Sequence, residues 1–385
     1  MTAIALPRIV RIGGGALNEL PDALAQCGLS RPFIVTDAFL SHCGMVARLT
    51  DVLAARGMEA VVFADTVPDP TVAVVEAALA RLAGTGCDCV IGFGGGSPID
   101  TAKAIAVLAL DPRPVPTMKT PTQTDTPGLP IVAVPTTAGT GSEATRFTII
   151  TDEATSEKML CAGLAFLPTI AIVDYELTMA KPARLTADTG IDSLTHAIEA
   201  YVSKRANPFS DAMALSAMKL IAPHIRTACV EPGNHAAREA MMVGAHHAGI
   251  AFSNASVALV HGMSRPIGAF FHVPHGLSNA MLLPVVTAFS APSALVRYAD
   301  CARAMGVADE GEGDQAAVAR LLDELVALNA DLAVPSPRAH GIDAGRWREL
   351  LPTMAAQAIA SGSPGNNPRV PDAAEIVALY EQAFG

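Results

Sequence analysis

Over the first 180 residues, short apolar runs alternate with segments whose apolar residues recur at helical spacing, and this alternation restricts the fold more than any other feature. The runs at 32–36, 60–63, 89–93 and 131–134 read as strands, and the segments at 45–56, 71–82 and 99–108 read as helices. Strands that return after each helix pair in parallel and need cover on both faces, which predicts an α/β domain with a parallel sheet. A Pro/Thr-rich stretch at 111–130 holds too many prolines for a helix or central strand and is expected to be an irregular surface loop. After Pro182 the strand-like runs fade, and Ala-, Leu- and Met-rich segments of helical spacing take over at 183–203, 209–222, 236–253 and 293–305. The expected domains are therefore an α/β unit over 1–180 and an all-helical unit over 181–385.

Apolar residues make up 51% of the chain and charged residues 16%, a balance that supports a large core and argues against disorder. With a net charge of −11 and no Lys/Arg run, neither nucleic acid nor an anionic membrane surface is an expected partner. No stretch approaches the roughly 18 apolar residues of a membrane span, and the N-terminus lacks the layout of a signal peptide. The expected location is the cytoplasm. Seven cysteines, scattered and without a CxxC pair, fit reduced thiols and argue against a thiolate zinc site.

Gly94-Gly95-Gly96-Ser97 follows an apolar strand directly, Pro98 stands where a first helical turn begins, and Asp100 is expected in that same turn. Glycines there let the backbone approach a ligand, and the free N–H groups of a new helix face an anion, so a phosphate cradle is the functional reading. The plain alternative is a tight turn with no ligand. The segment is neither the six-residue dinucleotide fingerprint nor a Walker A loop. A second cluster, Pro135 to Glu143, carries the hydroxyls of Thr136, Thr137 and Thr140 beside flexible backbone. These hydroxyls are candidate cofactor contacts or parts of an ordinary turn. Gly139 to Ala144 formally matches G-x-G-x-x-A, but the β-branched and aromatic residues at 145–151 forbid a following helix, so the match is chance. Asp37 closes a strand, where it can accept a bond from a ribose hydroxyl and repel a 2′-phosphate, favouring NAD over NADP.

The helical half carries the sharper signal. Asp192 and His196 stand four apart in a helix-like run and so share one face. His261 and His275 come later, each followed by glycine. One carboxylate and three imidazoles form a credible shell for a divalent metal, although an Asp/His pair at this spacing is also common as a surface hydrogen bond. His246 and His247 point in different directions on a helix and read as structural, and His224 and His235 read as surface residues.

Taken together, these segments resemble the iron-containing (group III) alcohol dehydrogenase family. Gly94 to Asp100 looks like its pyrophosphate loop and Pro135 to Glu143 like its second cofactor loop. Thr189 to His196 and His261 to Gly276 look like its metal-ligand segments, while Val35-Thr36-Asp37, Val67 to Thr71 and Asn367-Pro368-Arg369 also match, in order, along nearly the whole chain. The resemblance implies a dehydroquinate synthase-like fold, an N-terminal dinucleotide-binding domain joined to a helical metal-binding and substrate domain. It implies NAD bound along Asp37, Gly94, Gly95, Gly96, Ser97, Asp100, Thr136, Thr137 and Thr140, and a metal bound by Asp192, His196, His261 and His275. Fe2+ is the family expectation, although Zn2+ binds such ligands at least as tightly. The implied reaction is hydride transfer between an alcohol and NAD in a homo-oligomer, a dimer or larger.

Two departures stand out. Tyr175 replaces a proline in Asp174 to Thr178, and Arg265 stands where many members carry a further histidine that is sometimes assigned to proton transfer. His272, water or the cofactor ribose is then left as the proton route. Arg265 either binds an anionic substrate group as a fixed cation or bonds to backbone or a neighbouring acid. The rival reactions on this fold are a dehydroquinate synthase-like lyase, which needs a basic cluster that is not evident here, and a metal-free maleylacetate-type reductase, which lacks the full ligand set.

Overall fold

The computed structural model describes residues 3–155 and 157–385. It forms two compact units, Ile4–Met179 and Ala180–Gly385. In the first unit the strands, in chain order, are β1 (Ile9–Ile12), β2 (Pro32–Asp37), β3 (Val61–Thr66), β4 (Cys89–Gly94), β5 (Ile131–Pro135), β6 (Phe147–Asp152), β7 (Glu157–Ala162) and β8 (Ile170–Val173). Six of them form one sheet among the described residues, in the order β1-β8-β5-β4-β2-β3, and all its pairs are parallel. Alternate residues feed opposite cores: Phe33, Val35, Val90 and Ile131 pack on one face, and Ile34, Ile91, Val132 and Val134 on the other. Burying each such side chain contributes roughly 1.5–3 kcal/mol, which is why these strands read as unbroken apolar runs.

This strand order places the ligand crevice. The chain steps one way from β2 to β3 and the other way from β4 through β5 to β8, so the direction switches between β2 and β4. Ligands of open α/β sheets bind outside the carboxyl ends of the strands at such a switch. Here those ends are Asp37 and the glycines after Phe93.

The segment at 111–130 is more ordered than its prolines suggest. Thr120 N donates to Leu160 O and Thr124 N to Ala162 O, both at 2.9 Å, so the segment docks along β7. An edge position tolerates the prolines because their missing N–H groups face away from the pairing.

The second unit is helical, with the helices Ala183–Val202, Pro208–Val230, His235–Asn254, Leu259–Phe271 and His275–Ser290 around the site, followed by four more (Leu295–Ala304, Asp314–Asp331, Ala344–Ala360 and Ala373–Phe384). No described helix is long and apolar enough to cross a membrane.

Candidate active site

The helix Ala183–Val202 carries Asp192 and His196 on one buried face; Asp192 is 2% and His196 4% exposed. His261 enters from Leu259–Phe271, and His275 is the first residue of the next helix. The Nε2 atoms of His196, His261 and His275 lie 3.9, 3.5 and 3.8 Å from Asp192 Oδ1. One donor atom each from Asp192, His261 and His275 falls within 4.8 Å of the others. His196 stacks between Phe252 and His261, with ring centroids 4.2 and 4.4 Å away. His275 is the open member, its side chain 35% exposed.

Close helix approach makes this convergence possible. A Cβ on Gly276 would stand 2.3 Å from Asp188 O and 3.3 Å from Asp192 Cβ. Glycine after His275 therefore lets the two ligand-bearing helices touch.

Two residues that the sequence reading passed over complete the cluster. Glu199 accepts from His261 Nδ1 at 2.6 Å and from Val260 N at 2.6 Å. The proton of His261 is thereby fixed on Nδ1, and Nε2 keeps its lone pair for the cluster. Glu199 follows Asp192 and His196 at i+7 and i+3, so extending the same helical face would have found it. Asn279, four after His275, directs Nδ2 to Asp192 Oδ1 at 2.7 Å and lies 3.2 and 3.3 Å from the Nε2 atoms of His261 and His275. Its own Oδ1 is buried without a partner among the described residues.

The electrostatics agree with a site built for a cation. Burial alone would raise the Asp192 pKa, but the imidazoles of His196, His275 and His261 outweigh it and hold the carboxyl below the usual carboxylate range. Burial opposes charge on His261 as well, yet Glu199 and Asp192 raise its pKa. The lone pairs of Asp192 Oδ1 and two Nε2 atoms meet the amide nitrogen of Asn279, and among the described residues Asp192, His261 and His275 form the group able to hold one ion, with His196 beside Asp192 but outside that group. The donor set, oxygen and imidazole without thiolate, fits a divalent first-row metal.

His272 is not part of this cluster. It is exposed and caps the Leu259–Phe271 helix in the left-handed region, φ 56°. Arg265 donates Nη1 to Ser363 Oγ at 3.1 Å.

In the first unit, the helix after β4 spans Gly96–Leu108 with Gly95 as N-cap, three residues earlier than its sequence pattern indicates. Asp100 is therefore its fifth residue and lies beyond the first turn. Both its carboxylate oxygens are engaged, by Ser142 Oγ and Ile149 N, each at 3.0 Å. Asp100 thus pins the threonine-bearing loop instead of lending its charge to the helix terminus. Lys103, 0% exposed, does the same through Thr145 O and Phe147 O, both at 2.8 Å.

The glycine turn itself is shaped as a cradle. Gly94 has φ 153°, a conformation that side chains rarely adopt, and a Cβ there would strike Pro98 Cγ at 2.5 Å. A Cβ on Gly96 would stand 3.0 Å from Thr140 Cγ2, and one on Gly95 3.6 Å from Thr137 Oγ1. The two loops therefore lie side by side at the carboxyl ends of β4 and β5, where Gly94 pairs with Pro135. Thr136 Oγ1 is buried without a partner among the described residues, and Thr140 Oγ1 accepts from Ser142 N at 3.3 Å. Asp37 caps the short Ala38–His42 helix through Oδ1, which accepts from Leu40 N at 2.8 Å. A helix N-terminus with glycine access beside an acidic strand end suits a dinucleotide.

Comparison with known proteins gives a single answer. Residues 7–175 match the iron-containing alcohol dehydrogenase model, and residues 186–384 match that of the C-terminal part of the Fe-containing alcohol dehydrogenase family. The chain is 38% identical over 374 residues to lactaldehyde reductase of Escherichia coli K12, covering 97% of each chain. It is 36% identical over 384 residues to the NAD-dependent methanol dehydrogenase of Bacillus methanolicus, covering 100% of both. The crystal structure of 1,3-propanediol oxidoreductase superposes with a TM-score of 0.95 at 35% identity over 100% of both chains.

Proposed function

The chain belongs to the iron-containing alcohol dehydrogenase family, and from that premise we propose that Asp192, His196, His261 and His275 hold one divalent metal, Fe2+ by family, and that the α/β unit holds NAD. It is an oxidoreductase that transfers hydride between an alcohol and NAD, giving an aldehyde or ketone or running in reverse. The observation that carries the metal assignment is the convergence of three Nε2 atoms on Asp192 Oδ1 within 3.9 Å, in a cluster buried except at His275.

When bound, the metal supplies Lewis-acid polarisation of the alcohol or carbonyl oxygen, and NAD supplies the hydride acceptor. The chain's own residues do the rest. Asp192 contributes the negative charge that neutralises part of a cation. Glu199 holds the His261 proton at Nδ1 and so keeps Nε2 basic. His275, half-exposed, leaves the cluster accessible from its side. In the α/β unit, Gly94, Gly95, Gly96 and Ser97 offer backbone N–H groups to a pyrophosphate, and Thr136, Thr137 and Thr140 line the neighbouring loop. Asp37 would accept a bond from a ribose hydroxyl, as the acidic end of its strand supports. Asp100 acts through the loop it pins.

The test is reconstitution. Chelated protein, reloaded anaerobically with Fe2+ or Zn2+, regains NAD-linked oxidation of simple alcohols. Turnover that persists without any bound ion refutes the proposal. A homodimer or larger assembly in the cytoplasm belongs to the same proposal, and light scattering on purified protein checks the assembly.

A further inference from the structure

Arg265 follows His261 by one helical turn on the Leu259–Phe271 helix, so the two side chains leave the same face. Its surroundings differ from those of several other arginines of the helical unit. Arg297, Arg303 and Arg226 each pair with a carboxylate. Arg238 has no acid but donates to three oxygens, those of Thr186 Oγ1, Lys181 O and Pro232 O. Among the described residues Arg265 has one neutral acceptor, Ser363 Oγ, and its Nε is buried without any. Among the described residues, the acid whose field reaches it is Glu199, and both Glu199 oxygens are already taken by His261 and Val260.

A guanidinium remains charged in proteins, and one withdrawn from water with unfilled donors is costly unless an anion completes it. Burial pulls the Arg265 pKa below the ordinary arginine value despite the opposing field of Glu199. With Nη1 on Ser363, the edge formed by Nε and Nη2 is left, two parallel donors that match an oxyanion bidentately. Arg265 stands one helical turn after His261, a residue of the metal cluster, so both side chains leave one side of the Leu259–Phe271 helix.

We infer that Arg265 is a specificity-determining residue and that the substrates are short alcohols or aldehydes carrying an oxyanion, a carboxylate, sulfonate or phosphonate. The inference rests on the oxidoreductase reading given above. It is tested by NADH-linked reduction of succinic semialdehyde, sulfoacetaldehyde, phosphonoacetaldehyde, propanal and butanal in metal-loaded wild type, Arg265→Gln and Arg265→Lys. Wild type favours at least one acidic aldehyde over the neutral pair. Arg265→Gln loses about 100-fold in kcat/KM on that aldehyde, the scale of an unpaired buried charge contact, while butanal changes by less than about 3-fold. Arg265→Lys recovers part of the loss, since it keeps the charge without the fork. Calorimetric titration with succinate, sulfoacetate and phosphonoacetate gives an independent readout: at least one binds wild type and does so more weakly in Arg265→Gln. Equal losses on acidic and neutral aldehydes, or a wild type that prefers neutral ones, overturn the inference and leave the oxidoreductase reading standing. Failure of the metal-loaded enzyme to reduce any of the five overturns that reading itself, and the titration then decides the anion site alone: no binding by any of the three anions overturns it.

Discussion

Three imidazoles can serve one cation only if each turns a lone pair toward it, and at His261 that orientation falls to Glu199. The carboxylate is 3% exposed and has no role toward solvent. Removing its charge while keeping its shape isolates this function. Glu199→Gln is expected to weaken metal affinity by about 10–100-fold, the usual scale for such supporting partners, with circular dichroism unchanged and activity restored by excess Fe2+ or Zn2+. Competition with a chelator of known affinity measures it; unaltered affinity means that Glu199 is merely a helix contact through Val260.

Asp100 offers a residue-scale test in the other unit. Burial pushes its pKa up to about 6, against Lys103 and the donors Ile149 N and Ser142 Oγ. The sign follows from linkage: a folded pKa above the unfolded value favours the neutral form in the native state, so its contribution to stability is full below the ordinary carboxylate range and declines as pH rises through about 6. Asp100→Asn removes that decline. Its stability relative to wild type should therefore rise between pH 4 and 7, by up to about 3 kcal/mol for a shift of roughly two pKa values. Denaturant unfolding at several pH values checks this, and a difference that falls with pH would show that Lys103 keeps the carboxylate ionised in the fold.

At the scale of elements, the site depends on how closely two helices approach. Gly276→Ala places a methyl group 2.3 Å from Asp188 O, so the His275–Ser290 helix must move away from Ala183–Val202. Overpacking of this kind costs about 1–3 kcal/mol, and here it also separates His275 from Asp192. Both a lower Tm and a loss of bound metal are expected, measured by calorimetry and metal analysis on the same sample. A lower Tm with full metal content would show that the contact is structural only.

Much of this geometry is legible in the sequence. Asp192 and His196 share a face by spacing alone, and glycines mark His261 and His275. The strands β2, β4 and β5 announce themselves as apolar runs because both their faces are buried. What the sequence conceals has physical causes. The helices that carry His261 and His275 contain Pro266 and Pro284, which break the pattern by which a helix is read, since proline removes a backbone donor. β1 and β8 have four residues each, too few for a periodicity to emerge. The docking of the 111–130 segment along β7 depends on pairing between distant residues, Thr120 with Leu160 and Thr124 with Ala162. Asp100 was legible as part of the glycine segment, but its role was not: its partners Ser142 and Ile149 lie more than 40 residues away.

For the whole molecule, the account divides the labour between two units. The α/β unit presents a helix N-terminus and an acidic strand end at its topological switch, and the helical unit gathers one carboxylate and three imidazoles. A metal bound only to the native state adds stability that grows with the logarithm of its concentration over Kd, so chelation should lower the Tm as well as the activity. The central claim is that those four side chains share one cation. Anomalous X-ray scattering at the iron edge, from crystals of anaerobically Fe2+-loaded protein, tests it most directly. The account predicts a single strong peak bounded by Asp192 Oδ1 and the Nε2 atoms of His196, His261 and His275; a peak elsewhere, or none in crystals of fully active enzyme, would contradict it.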